Sequence, residues 1–169
     1  GSDVANIQGT SAQTSLALGA GNEKIYVSSD AAQTLTSDTR FLTGHLNAIR
    51  GQLKIDAGLG RHQLMVSDEA ALMGDGTLAA RALITADRAA ALAAVTADGG
   101  DRELAATGAI YLVRLAPAVI SYVAAAQGNF LSGITYWTGS GEDAIRIDAT
   151  DNRSLPGTRT VTVLNTGLG

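Results

Sequence analysis

The chain has 169 residues, with 16 acidic against 12 basic side chains and a net charge of −4; no run of Lys or Arg forms along it, which argues against nucleic acid and anionic membrane surfaces as partners. Hydrophobic residues make up 46% but aromatic ones only 4%, so the core must be assembled from Ala, Leu, Ile and Val, which suits a narrow interior better than a large globule. Cysteine is absent, which excludes disulfides, thiol nucleophiles and cysteine-based metal sites together.

In chain order, the first predicted strand of note covers residues 14–18. It leads into Gly19-Ala-Gly21, a polar pair, and the alternating couple Ile25/Val27. The same order returns at residues 52–56, with Gly58-Leu-Gly60 followed by Leu64/Val66. Residues 78–106 read differently: they are Ala-rich, with Gly74-Asp-Gly76 supplying a turn and Thr77 an N-cap, and helix propensity is high from Asp87 to Val95. A competing reading keeps Leu83-Ile84-Thr85 as a strand. Gly99-Gly100 ends the helical stretch, and residues 109–114 and 118–123 read as strands. A third copy follows residues 134–137, with Gly139-Ser-Gly141 and Ile145/Ile147; a fourth follows residues 160–165, with Gly167-Leu-Gly169. Three residues before the first Gly of each copy stands a large apolar residue: Leu16, Ile55, Tyr136 and Leu164.

Four copies with the same flanks constitute an internal repeat. Residues two apart on a strand share a face, so each aliphatic couple makes one buried stripe. The glycines let the chain turn sharply between strands. One strand–turn–strand unit cannot bury its stripe alone, whereas stacked units can. The predicted fold is therefore mainly β, a parallel β-solenoid with an irregular, helical insertion around residues 78–106, forming one module over residues 1–169. Gly21 to Gly60 spans 39 residues, Gly60 to Gly141 spans 81 and Gly141 to Gly169 spans 28, so the middle gap reads as a turn skipped, or drifted beyond recognition, around residue 100. Leu16, Ile25, Val27, Ile55, Leu64, Val66, Ile145 and Ile147 are expected to line one interior. Gly1-Ser2 reads as an expression scar with no signal peptide after it. The copy cut at Gly169 reads as an excerpt of a longer array, with end strands prone to end-to-end association.

The run Gly-x-Gly-Asn-Glu-x-Ile-x-Val, with Asn165-Thr166-Gly167 before the last copy, resembles the degenerate nonapeptide repeats of RTX (hemolysin-type, calcium-binding) proteins. It is also similar to the tandem units of long bacterial surface and secreted proteins. The resemblance covers residues 4–75 and 118–169 and implies an exported, repetitive protein at the cell surface or outside the cell, often calcium-stabilised. It makes Gly19, Gly21, Gly58, Gly60, Gly139, Gly141, Gly167 and Gly169 the repeat-turn glycines. At the family's acidic turn position this chain has Glu23, His62 and Asp143, so Glu23 and Asp143 become weak calcium candidates, too few for a dense calcium ladder.

No catalytic residue is assigned. His45 and His62 have no carboxylate at triad spacing and form no metal pattern. Glu142, Asp148, Asp151, Arg146 and Arg153 could line a groove, but mixed charge on a strand is usually a solvated face. Leu155-Pro-Gly-Thr-Arg159 only approaches a sortase signal, Asn152-Arg-Ser154 fits a glycosylation sequon, and Thr158, Thr160 and Thr162 make one outward row. The apolar run 115–126 is too short to span a bilayer. Two function classes follow. One is a noncatalytic structural or adhesive repeat module whose partners are neighbouring repeats, extracellular polysaccharide or a cell surface. The other is a carbohydrate-active or carbohydrate-binding β-helix of lyase, epimerase or tailspike type, with Trp137, Tyr136, Tyr122, Tyr111 and Tyr26 as the rings that could stack on a sugar.

Overall fold

Most apolar runs in this chain are only three or four residues long, and each becomes a short strand. The computed structural model describes residues 1–32, 41–99, 104, 109–152, 154–155 and 158–167. Five strands form a wholly parallel sheet in the order β1 (Val4–Ile7), β3 (Lys24–Val27), β5 (Gln63–Ser67), β9 (Ile134–Trp137) and β13 (Thr162–Asn165). Six form a mixed sheet in the order β10 (Ile145–Ile147), β6 (Ala82–Thr85), β7 (Ile110–Val113), β8 (Ile120–Val123), β4 (Leu53–Asp56) and β2 (Thr14–Ala17). One helix, α1 (Arg88–Ala97), and a small antiparallel pair, β11 (Ser154–Leu155) with β12 (Thr158–Arg159), complete the described elements. The protein is thus mainly β, and neither large sheet closes into a barrel.

The chain passes back and forth between the two sheets from β1 to β6, and the core lies between them. Ile25, Leu64 and Ile134 lie in register across the parallel sheet, as do Val27, Val66 and Tyr136. They pack against Leu53, Ile55, Ile84, Leu112, Ile120 and Tyr122 of the mixed sheet. The outer faces are covered as well. Tyr26 and Met65 point away from this core into a cluster with Ala31 and Leu42, which explains why the runs Ile25-Tyr26-Val27 and Leu64-Met65-Val66 are apolar throughout rather than alternating. The helix covers part of the other outer face through Ala91 and Val95, four residues apart, against Leu83, Tyr111, Val113 and Val119.

The insertion over residues 78–106 is both things the sequence allowed. Ala82–Thr85 is a strand of the mixed sheet and the helix follows it. The N-cap is Asp87 rather than Thr77: its carboxylate accepts the Ala89 and Ala90 amides at 2.8 and 3.2 Å. The far end is held by Arg114, whose Nε and Nη2 donate to the Asp98 carboxylate at 2.8 and 2.9 Å and whose Nη2 also reaches the Ala94 carbonyl at 3.2 Å. Arg114 occupies the left-handed region, with φ of 64°, and these contacts to the helix C-terminus offset that strain.

Three expectations need correction. The gap between the second and third copies holds β6, α1, β7 and β8, and its degenerate turn lies at Gly128-Asn129 rather than near residue 100, which is outside the described residues. Strands β6, β7 and β8 pair antiparallel, because all three stay in one sheet, so stacking in that sheet is not uniformly parallel. The four copies also do not line one interior stripe in one register. Leu16 pairs with Ile55 in the mixed sheet and Tyr136 with Leu164 in the parallel sheet. Ile145 and Ile147 lie on an edge strand opposite Ala82 and Ile84, and Ile147 is 48% exposed. Leu16, on the other edge, is half-buried. Edge strands have one neighbour, so their apolar residues are covered on one side only.

Candidate functional site

The repeat turns form two columns at opposite edges of the sandwich, and these columns place the predicted site residues. In the first, Gly58 lies on Gly19 and Gly60 on Gly21; a Cβ on either upper residue would stand 1.8 Å from the carbonyl oxygen beneath it. Both upper glycines have positive φ, 76° and 121°, so packing and backbone angle exclude a side chain independently. The amides complete the contact: Leu59 donates to the Gly19 carbonyl at 2.7 Å and Gly21 to the Leu59 carbonyl at 2.9 Å. A third level, Gly128-Asn129, lies on Gly58 and Gly60, with the Asn129 amide on the Gly60 carbonyl at 2.9 Å. Sequence reasoning missed it because it lacks the second Gly.

Glu23 and His62 occupy the acidic position of the first column, and both are buried. Glu23 Oε2 accepts the Asp3 amide at 2.7 Å. The Glu23 amide donates to His62 Nδ1 at 3.3 Å, and His62 Nε2 faces the Gly58 carbonyl at 3.3 Å. That pattern requires Nδ1 to be the acceptor, so the proton sits on Nε2 and the ring is neutral. Burial, the largest influence, lowers the His62 pKa from its usual value against the opposing pull of the Gly58 carbonyl and of Glu23. Of the Glu23 carboxylate, Oε1 is left buried without a partner, one oxygen against the six to eight that calcium requires.

The second column stacks Gly139 on Ala71, Gly141 on Gly74 and Gly167 on Gly139; Gly169 lies outside the described residues. Asp143 joins two turns here. Its Oδ1 accepts the Asp75 amide at 2.9 Å and its Oδ2 accepts the Thr138 hydroxyl. Beside it are two carboxyls that sequence reading did not single out. Asp68 Oδ1 accepts the Leu46 amide at 2.6 Å, yet burial pushes its pKa up to about 6. Asp75 is 7% exposed and its Oδ2 is buried without a partner. Burial, then the charges of Asp68 and Asp143, push it up to about 8, so at neutral pH it is largely a neutral acid. An Asp between two glycines reads as a solvated turn, and nothing local in the sequence shows that residues 68 positions apart meet. Asp68 and Asp75 line a cavity of about 460 Å³ whose wall includes Leu72 and Met73.

The two calcium candidates therefore lie in different columns, each already holding backbone amides. Among the described residues no three His, Asp or Glu side chains are grouped to hold a metal ion. The groove candidates do not converge either. Arg146 pairs with Asp148 at 2.7 Å on the exposed edge strand, Asp151 accepts the Thr160 hydroxyl at 2.7 Å, and Arg153 lies outside the described residues. Tyr26, Tyr111, Tyr122 and Tyr136 are buried, with the Tyr122 and Tyr136 hydroxyls 2.5 Å apart in the core. Trp137 is half-buried and meets Phe41 edge-on at 4.7 Å. Comparison with protein-family models, curated proteins and solved structures returns no match.

Proposed function

We propose that the chain is a noncatalytic structural or adhesive repeat module of an exported bacterial protein of the RTX-like kind, coiled as an irregular β-solenoid. The observation that carries this reading is the backbone-to-backbone stacking of Gly58 and Gly60 on Gly19 and Gly21: residues 39 apart repeat both the sequence pattern and its place in space. Such columns support successive coils covering one another. The outer strands β1 and β13, and β2 and β10, have one partner each among the described residues, and these are the edges that neighbouring repeats would cover. Calcium enters as a weak, substoichiometric ligand at Glu23 and Asp143. Burial of the four tyrosines favours this reading over a sugar-stacking β-helix, since a ring in the core cannot face a polysaccharide. Among the described residues no helix is long and apolar enough to cross a membrane.

Two measurements test the proposal. Small-angle scattering of one, two and three linked copies should show a maximum dimension that grows linearly, as a stiff rod does; flexibly jointed beads contradict it. Incubation with acidic and neutral polysaccharides should leave chain length unchanged, and depolymerisation would overturn the noncatalytic reading.

A further inference from the structure

The helix covers one part of the mixed sheet's outer face and stops. At the step it leaves a cavity of about 380 Å³ whose apolar wall is Val95, Val113, Val119 and Pro117, and whose lining includes Gln13, Gln52 and Arg50. We propose that this crease binds a small organic carboxylate with an apolar body.

Three charged side chains line the crease: Arg50, Asp98 and Arg114. Asp98 and Arg114 neutralise each other through the two-pronged contact at 2.8 and 2.9 Å. Arg50 is exposed and turns its Nε to the Asn47 carbonyl at 3.4 Å. Its positive charge is therefore the one left uncancelled in the lining, and its terminal amino groups are free, among the described residues, for an incoming acceptor. A planar guanidinium fork matches a carboxylate with two parallel hydrogen bonds, stronger than bonds to a neutral carbonyl. The volume and the mix of an apolar wall with a few polar groups are those of a small-molecule site. The contrast with the neighbouring cavity sets the sign of the ligand. Arg114, Ala116 and Pro117 line both cavities, but the other one carries two buried carboxyls, of which Asp68 is ionised at neutral pH and would repel an anion while Asp75, largely protonated there, adds no positive charge.

The test is an NMR titration of the full chain with benzoate, with its neutral isostere benzamide and with benzylammonium. Benzoate should shift the amides of residues 11–13, 50–52 and 113–119 saturably, and benzamide should bind at least about tenfold more weakly. Arg50→Gln should weaken benzoate at least about tenfold at unchanged Tm, and Arg50→Lys should recover part of the loss. Equal binding of benzoate and benzamide would overturn the proposal. So would indifference to Arg50→Gln, shifts centred elsewhere, or no saturation at tens of millimolar. Preferential benzylammonium binding beside Asp68 and Asp75 would overturn it too, by placing the ligand in the acidic cavity.

Discussion

The two large sheets are made by one chain crossing between them, yet one is wholly parallel and the other reverses twice. In the parallel sheet β1, β3, β5 and β9 are each followed by a departure to the other layer, so each return adds a strand in the same direction. In the mixed sheet β6, β7 and β8 follow one another with α1 between the first two but with no crossing to the parallel sheet, and they pair antiparallel. The difference shows that regularity here is a property of the turns. Where Gly58-Leu-Gly60 can sit on Gly19-Ala-Gly21, the parallel order is kept; where the helix and its flanking strands intervene, it is lost.

Breaking the first turn column should have the largest effect. Gly60→Ala places a methyl 1.8 Å from the Gly21 carbonyl at φ of 121° and should destabilise by more than about 3 kcal/mol in urea unfolding, or prevent folding. Gly99→Ala, also at positive φ (72°) but with nothing within 4 Å, should cost only about 1 kcal/mol. Equal effects would remove stacking from the account. Next, Leu64→Ala in the middle of the parallel sheet should cost about 3 kcal/mol, whereas Ile147→Ala on the exposed edge of the mixed sheet should cost less than about 1; the same denaturation series reads both.

The two columns should also respond oppositely to pH. The folded-state pKa of Asp75 is raised from 3.8 to about 8, so between those values the folded protein binds more protons than the unfolded chain. The stability this gives is complete below about pH 4 and is lost as pH rises through about 8. Asp75→Asn should therefore stabilise by on the order of 2 kcal/mol at pH 8 and by little at pH 4, flattening that limb of a Tm-against-pH curve. His62 has a lowered folded pKa, so its contribution is present above its unfolded value of 6.5 and is lost as pH falls below it. His62→Gln should blunt that loss, and a variant whose acid limb is unchanged would show that the ring does not sense pH. The smallest effect concerns calcium: millimolar calcium should raise Tm by no more than about 2 °C, because binding that weak stabilises little. A large rise would mean that Glu23 and Asp143 gather oxygens beyond those they hold.

What the sequence carried was local. The strands at residues 14–17, 53–56, 134–137 and 162–165 and the helix near Asp87 follow from alternation, propensity and Gly turns. The assignment of copies to edges was not legible, because the same Gly-x-Gly turn serves a crossing in either direction. Gly19 and Gly58 lead from the mixed sheet to the parallel one, and Gly139 leads back. Asp68 and Asp75 were invisible for a similar reason: their environment is made by residues distant in sequence, Leu46 and Asp143.

The central claim is that the first two Gly-x-Gly turns lie one on the other while the third lies at the opposite edge, and a cross-link reads it directly. Ala20 and Leu59 are bridged in parallel, within the reach of a disulfide, and the chain has no other cysteine. Ala20→Cys with Leu59→Cys should oxidise to a monomeric, intramolecular disulfide in the folded protein with an undiminished Tm, while Leu59→Cys with Ser140→Cys should stay reduced. The reverse outcome, with 59 and 140 cross-linked and 20 and 59 not, would contradict the two-column account.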